Sequence, residues 1–578
     1  MNSSRLVLII SMVVMAYASL WYYPKWKMTR TEATLSWDVS GYYLYLPALF
    51  IYHDIKELKF KSRIDSIYYP SSSPYQSFVH SSGNQVMKYT CGLAVLYSPF
   101  FLMAHLLAKP LGYIPDGYSQ IYQLFISIGS LVWAFIGLFF LRRLLLIYFK
   151  DVTVAFSLAI LILGTNYLDY ASITGAMSHN YLFSLYSILL FSIDRYYNSL
   201  RKVWFLLACL LIGLMVLIRP TEIISVFLLF LWNIDTTSAL KQRVNYFIHH
   251  TSLSLVGILA FFIFPLVQIY YWKFVSGEWL VYSYQEQGFS WLEGHHILQG
   301  LFSYRAGWLV YTPIMILVLI GMIKLGFSRI TGRWLFIGFI LLSLYLTFAW
   351  DEWTYGGSLG QRALIQHYPI MIFPICFLLG DIVKIRPLLY VFVLFASFCI
   401  YYNLWLTHQA HKGGIYEAGM MNKAYFWNTL FKNENLQENK KLLDTNEPVY
   451  EFNDDAGRMI IDTIFHVEST CANNSNSVSL YSHQMQKGKL KVELLAKASL
   501  KEWDVWQMAQ LVIQYQKDNK SVKSTILRLH RFLNDNDEKW ISLVTKSPAG
   551  EYDKLNISIW NPSNKNICIK ELKLFIEN

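Results

Sequence analysis

The chain has 578 residues and a net charge of +11, and 54% of its residues are apolar while only 15% are charged. An ordinary soluble protein carries about 25% charged residues, so a wholly soluble fold of this length is excluded. The positive charge does not cluster on one segment. It sits singly or in pairs between apolar runs, where membrane topology accounts for it and nucleic-acid binding does not.

A membrane helix needs about 20 apolar residues. By that criterion spans are expected from Leu6 to Tyr23, Ile121 to Leu141, Val152 to Leu168, Asn180 to Ile193, Val203 to Ile218 and Ile223 to Trp232. Further spans follow from Leu253 to Trp272, Trp308 to Ile323, Trp334 to Trp350, Ala363 to Leu379 and Leu388 to Leu406. This makes about eleven crossings. With the N-terminus cytoplasmic, every inner loop is basic: Arg142, Arg143 and Lys150; Arg195, Arg201 and Lys202; Lys241 and Arg243; Lys324, Arg329 and Arg333; Lys384 and Arg386. Outside the long first loop, the outer loops are nearly free of Lys and Arg, as the positive-inside rule requires, apart from a few such as Arg219, Arg305 and Arg362. Cys91 to Ala108 is also apolar, but counting it as a crossing would invert every later loop and break the charge pattern, and it holds Ser98-Pro99 at its centre. It is therefore read as re-entrant or lying at the outer interface. Ala16-Tyr17-Ala18 resembles a signal-peptide cleavage site, but the apolar run continues through Trp21 and Tyr23, which favours an uncleaved first helix.

The expected organisation is a transmembrane domain over 1–406 with a long first outer loop at 24–90, a polar connector over 407–448, and a domain over 449–578 outside the membrane. Within the first loop, Gly41 to Ile55 reads as a helix resting on the membrane surface. The connector holds a helical stretch, Asn422 to Phe431. After it come short β-prone runs: Arg458 to Val467, Lys489 to Leu495, Gln510 to Tyr515, Ser524 to Phe532, Lys539 to Val544, Leu555 to Trp560 and Ile567 to Ile576. Turn clusters separate them, which predicts an all-β sandwich or jelly roll. Trp503 and Trp506 are of a type that stacks on sugar rings or fills a core. None of the six cysteines has metal-ligand or redox spacing. Cys471 and Cys568 share the C-terminal domain, and spacing does not decide whether they pair.

Ionisable groups at a membrane are expensive and are functional candidates by default. Four groups fall on the outer side. Trp37-Asp38 precedes the surface helix; an Asp framed by aromatics is expected to have a raised pKa and to serve as a general base, or else to cap the helix. Trp350 to Arg362 contains Asp351, Glu352, Tyr355, a Gly-rich turn, Gln361 and Arg362. Its Arg breaks the positive-inside trend and suits bidentate binding of phosphate. Arg219 and Glu222 flank Pro220-Thr221, either pairing with each other or lining a polar cavity. The fourth group is His179 with the loop Tyr282 to Arg305, which holds Glu286, His295, His296 and Arg305; Lys88 is a further outer cation. No zinc signature, P-loop, nucleophile elbow or dinucleotide fingerprint occurs, which argues against a nucleotide-driven pump.

Together these features resemble the GT-C-type integral membrane glycosyltransferases, the class of protein O-mannosyltransferases and lipid A aminoarabinose transferases, and most closely a Bacteroidota-like branch. The matching features are Trp37-Asp38 with the following helix, Lys88-Tyr89 before Gly92, Ser178-His179-Asn180, Arg219-Pro220-Thr221, Ser303-Tyr304-Arg305 and Trp350 through Arg362. The resemblance implies transfer of a sugar from a polyprenyl-phosphate donor to a glycan, lipid or protein acceptor, at the periplasmic face of a bacterial inner membrane. It makes Asp38 the catalytic base. Arg362, with Arg219, Arg305 and Lys88, would hold the donor phosphate, and Trp37, His179, Glu222, Glu286, Asp351, Glu352, Tyr355 and Gln361 would complete the substrate site. Some members of the class carry a second acidic residue beside the Asp; here the neighbours are Trp37 and Val39. No cofactor is therefore called for, and a divalent cation is compatible but not indicated. Alternative readings are an O-antigen ligase or polymerase, a transporter or flippase of a lipid-linked sugar, and a scaffold displaying its β-domain.

Overall fold

The computed structural model describes residues 2–577 except 292–294, 435–436, 446–449, 456, 465–476, 482–486, 499–504, 506–507, 534–537 and 563–566. The chain divides into two compact units, 1–412 and 413–578.

The first unit is helical. Five of its helices are long and apolar enough to cross a membrane: Ser3–Lys27, Gln120–Tyr148, Thr251–Ser276, Arg362–Ile382 and Arg386–Gly413. Shorter apolar helices include Gly92–Ala108, Asp151–Leu163, Lys202–Ile218, Pro220–Leu231, Pro313–Phe327 and Arg333–Ala349. The helix Ser178–Ser199 is richer in hydroxyls and is buried along most of its length. Protein packing shields its polar groups from lipid, as such groups in an apolar medium require.

Polar contacts fix which helix ends meet. Arg142 near the end of Gln120–Tyr148 donates from Nε to Ser4 Oγ (2.8 Å), and the Ser4 amide donates to Asp151 (3.2 Å). Tyr148 donates to Asp194, near the end of Ser178–Ser199. The start of the first helix and the end of Gln120–Tyr148 thus lie at the same end of the unit. The segment between them must then leave from and return to the opposite end. Within that segment Gly92–Ala108 is one helix that runs through Pro99. Both of its ends lie toward the same side. A Cβ on Gly92 would come within 2.6 Å of the Ile218 backbone nitrogen, at the end of Lys202–Ile218. His105 bonds Tyr122, near the start of Gln120–Tyr148, at 2.6 Å.

The segment between the first two long helices is well ordered by its own contacts. Trp37–Tyr43 and Tyr45–Phe50 form two short helices over the expected surface-helix region. Strands β1 (Ser77–Val79) and β2 (Gln85–Met87) form an antiparallel hairpin with Ser77 opposite Met87. The backbone bond from Lys88 N–H to Gln76 C=O (2.9 Å) extends that pairing, so Tyr75 and Tyr89 emerge side by side.

In the second unit the strands are β3 (Arg458–Ile464), β4 (Ser477–Tyr481), β5 (Lys489–Ala498), β6 (Gln510–Lys517), β7 (Lys520–Arg528), β8 (Glu538–Lys546), β9 (Lys554–Trp560) and β10 (Ile567–Glu577). They form two four-stranded antiparallel sheets, ordered β3-β10-β5-β8 and β4-β9-β6-β7. Alternate residues, such as Leu490, Val492 and Leu494 from one sheet and Leu511, Ile513 and Tyr515 from the other, enter one apolar core. That is the period-2 burial of a sheet with one face covered. Cys568 is disulfide-bonded. Cys471, Trp503 and Trp506 lie outside the described residues.

The polar stretch after the last membrane helix folds with this unit. Asp444, whose side chain is fully buried, takes Arg528 Nη1 at 2.6 Å and Arg531 Nε at 3.1 Å. Removing one member of a buried ion pair costs roughly 3–5 kcal/mol. Asp444→Asn is expected to lower the protection of β6 and β7 amides by about that amount in hydrogen exchange on the full-length protein; unchanged protection would show that the pair does not hold the unit together.

Candidate active site

Asp38 lies in the first turn of Trp37–Tyr43, behind the N-cap residue Ser36. Its carboxylate does not cap the helix. Oδ1 accepts hydrogen bonds from Tyr89 (2.7 Å) and Tyr75 (2.8 Å), and Oδ2 accepts one from Arg362 Nη2 (2.8 Å). Three separate segments therefore converge on one carboxylate.

Each partner is placed by the fold. The residues before Asp38 are tied to Gln120–Tyr148: the Leu35 amide donates to Gln123 Oε1 (2.7 Å), and Thr34 and Ser127 share a hydroxyl bond (2.8 Å). The Trp37 amide donates to Pro70 C=O (2.8 Å), and Trp37 itself holds a left-handed backbone (φ +51°) that turns the chain into the helix. Tyr75 and Tyr89 come from either side of the β1–β2 hairpin. Gly41, one turn after Asp38, lets the Tyr89 ring lie against the helix: a Cβ there would stand 2.4 Å from Tyr89 Cδ2. Arg362 follows a loop locked from several sides. Asn166 Nδ2 donates to Leu359 C=O (3.0 Å), the Leu359 amide donates to Tyr170 Oη (2.9 Å), and Gln361 Nε2 donates to Ala306 C=O (2.9 Å).

Burial alone would raise the Asp38 carboxyl. The Arg362 guanidinium, the Tyr89 and Tyr75 hydroxyls and Lys88 outweigh it, and the carboxyl is held below the ordinary carboxylate range. This corrects the raised pKa expected from the aromatic surroundings. The aromatic neighbours here are tyrosines whose hydroxyls stabilise the charge, and a cation remote in sequence completes the shell.

Lys88 stands beside this centre. Its Nζ donates to Gln287 Oε1 (3.1 Å) and lies over the Tyr284 and Tyr75 rings at 5.3 and 5.4 Å. Arg219 forms a second cluster. Its Nη1 donates to Gln366 Oε1 (3.1 Å), lies 3.4 Å from His179 Nδ1, and the guanidinium sits 5.7 Å from the centre of the Tyr355 ring. Arg219 and Glu222 do not pair directly; Gln366 stands between them, donating from Nε2 to Glu222 Oε1 (2.6 Å). The Glu222 carboxylate is buried and also accepts from Tyr186 (2.7 Å), His367 Nε2 (3.3 Å) and Thr221 (3.2 Å). The two clusters are neighbours. The Tyr42 ring is 4.4 Å from that of Tyr89, and its hydroxyl feels the charges of Arg219, Asp38 and Arg362.

Other expected site residues lie elsewhere or do structural work. Asp351 accepts from the Gly288 amide (2.8 Å) and the Ser290 hydroxyl (2.6 Å), pinning one loop to the next. Glu352 bonds Thr354. Glu286 and Arg305 are exposed. Among the described residues no group of three or more His, Cys, Asp or Glu side chains is arranged to hold a metal ion. Residues missed from sequence are Tyr75, Tyr89, Tyr42, Gln366 and His367. Lys88-Tyr89 and Gln361-Arg362 flagged their neighbourhoods, but tyrosine is too common in this chain to stand out.

Lys88 and Arg219 are thus held by neutral partners, and Arg362, though bound to Asp38, has a buried Nε without a hydrogen-bond partner. Arg362 and Lys88 stand at the carboxylate and Arg219 in the neighbouring cluster; fixed positive charge of this kind can hold an anion, and a carboxylate can accept a proton.

No protein-family model matches the chain, and no curated protein sequence matches it. Among solved structures it is similar to the apo form of the Archaeoglobus fulgidus oligosaccharyltransferase, at 12% identity and a TM-score of 0.44. The likeness covers 78% of this chain and 60% of that one.

The charge on Asp38 can be followed by carbodiimide labelling, which needs the protonated acid. Loss of an opposite charge at this range raises a carboxyl by roughly 1–3 pH units. Arg362→Met is expected to move the labelling midpoint of Asp38 upward by that amount, because burial is then less opposed. Gly41→Ala, which forces the Tyr89 ring away, is expected to move it upward by less. A midpoint unmoved by Arg362→Met would show that the ion pair does not set the charge.

Proposed function

We propose that this membrane protein is a GT-C-type glycosyltransferase that moves a sugar from a polyprenyl-phosphate donor to an acceptor hydroxyl, with inversion at the anomeric carbon. The observation that carries the reading is the Asp38–Arg362 pair (2.8 Å), flanked by Lys88 and Arg219, two cations with neutral partners. A proton acceptor beside an excess of fixed positive charge is what displacement of a lipid phosphate needs.

In this reading the acceptor oxygen attacks the anomeric carbon as the bond from that carbon to the phosphate oxygen breaks. The hydroxyl proton passes to Asp38, and the electron pair leaves with the polyprenyl phosphate. Arg362 has a part in both halves. Its Nη2 stays with Asp38 while the charge of the same guanidinium acts on the phosphate, so leaving group and base are set by one rigid group. As the phosphate takes a share of the Arg362 charge, Asp38 becomes a better base than in the empty site. Arg219 and Lys88 supply further charge to the leaving group.

The topology belongs to the same proposal. The N-terminus is cytoplasmic, about eleven helices cross a bacterial inner membrane, Gly92–Ala108 lies at the outer interface, and the first loop, the site and the C-terminal domain are periplasmic. The C-terminal domain is a jelly-roll-type sandwich. Donor and acceptor then meet where lipid-linked sugars are exposed to the periplasm, and the acceptor is a glycan, a lipid or a protein.

The test is release of polyprenyl phosphate from a panel of radiolabelled polyprenyl-phosphate sugars in nanodiscs. A general base contributes about 100- to 10,000-fold, and Asp38→Asn is expected to lose turnover on that scale while still binding donor. Full turnover by a folded Asp38→Asn protein would remove Asp38 as the base. No consumption of any donor by wild type would overturn the enzyme reading in favour of transport.

A further inference from the structure

His179 is held in a single tautomer, and its second nitrogen is left open. Gln366 can sit only one way round. Its side-chain oxygen must face Arg219, which only donates, and its NH2 must face the Glu222 carboxylate, which only accepts. The reversed amide would set donor against donor on one side and acceptor against acceptor on the other. His179 Nδ1 is 3.1 Å from that same Gln366 oxygen and 3.4 Å from Arg219 Nη1, which can only donate; the shorter contact, to an acceptor, places the hydrogen on Nδ1, with Arg219 beside the ring rather than bonded to it. The Arg219 guanidinium, 3.4 Å from Nδ1, favours the uncharged ring. In a neutral imidazole with hydrogen on Nδ1, Nε2 is a hydrogen-bond acceptor.

Among the described residues His179 Nε2 has no hydrogen-bond partner and is not sealed off, whereas Nδ1 of neighbouring His367 is buried without one. Glu222 fixes the arrangement from below. Its oxygens are saturated by Tyr186, Gln366, His367 and Thr221, so it has no freedom to release Gln366. The result is a chain from a buried carboxylate, through an amide and an imidazole, to one open lone pair beside a phosphate-binding arginine.

We propose that His179 Nε2 accepts a hydrogen bond from a hydroxyl of the donor sugar, with Glu222 and Gln366 as the residues that position it. This rests on the glycosyltransferase reading, which places the donor phosphate against Arg219. A sugar joined to that phosphate lies within reach of the adjacent imidazole. An imidazole acceptor selects for a hydroxyl and against a group that lacks a hydrogen to donate.

The experiment compares binding of two lipids to the full-length protein in nanodiscs: polyprenyl phosphate alone, and the panel of polyprenyl-phosphate hexoses. His179→Asn keeps the donor at the Nδ1 position and removes the acceptor at Nε2. It is expected to weaken binding of the best hexose lipid about tenfold, the scale of one hydrogen bond, and to leave polyprenyl phosphate unchanged. His179→Gln, whose side-chain oxygen reaches the Nε2 position, should lose much less. Glu222→Gln, by releasing Gln366, should lose the same discrimination between hexoses; a merely structural role of His179 would weaken both lipids together in His179→Asn. Equal weakening of both lipids by His179→Asn, or none of either, overturns the hydroxyl site and leaves the phosphate site standing. Failure of wild type to bind either lipid overturns the glycosyltransferase reading and this proposal with it.

Discussion

The ion pair between Asp38 and Arg362 ties together residues 324 positions apart in the chain. Both groups are partly buried, and neither is comfortable alone there. An uncompensated charge in a low-dielectric setting is strongly disfavoured, and the pair persists because hydroxyl donors satisfy the rest of the carboxylate. The hairpin that delivers Tyr75 and Tyr89, the close approach at Gly41 and the locked loop before Arg362 all serve that one contact. Mispositioning any of them would leave a partly buried carboxylate short of donors.

The second organising feature is an imbalance. Arg219 and Lys88 are held by amides and aromatic rings, and Arg362 shares its carboxylate with two tyrosines. The nearby Glu222 does not cancel Arg219 by direct contact, since Gln366 separates them. Positive charge fixed in this way, on side chains that need no reorganisation, is the kind of preorganised field that stabilises a developing anion. A salt-bridged surface patch with the same composition would offer little.

Much of this was legible in the sequence because it is written in local chemistry. Most of the strands alternate apolar with polar residues, and the runs expected from Lys489, Gln510, Leu555 and Ile567 start within one residue of β5, β6, β9 and β10. One strand, β4, is only five residues long, and its Val478 and Leu480 alternate with serines among neighbouring polar residues, a signal too short to stand out. In the membrane unit, Asp38, Lys88, Arg219 and Arg362 stood out because charge is rare there. What could not be read was partnership. The Asp38 carboxyl was expected to rise because its sequence neighbours are aromatic, yet its charge is set by Arg362 and by hydroxyls that only the hairpin register brings near. Asp351 looked like a site residue for the same reason that Arg362 did, and it proves to hold one loop against another through Gly288 and Ser290. Gln366 and His367 sit within an apolar helical run and gave no local sign that they join Arg219, His179 and Glu222.

The most direct measurement is a cryo-electron microscopy structure of the full-length protein in nanodiscs with bound polyprenyl phosphate. A phosphate seated against Arg362 and Arg219, with Asp38 still within hydrogen-bond distance of Arg362 and facing the space beyond the phosphate, is the predicted result. A phosphate bound elsewhere, with the Asp38–Arg362 pair undisturbed and Arg219 empty, would contradict it.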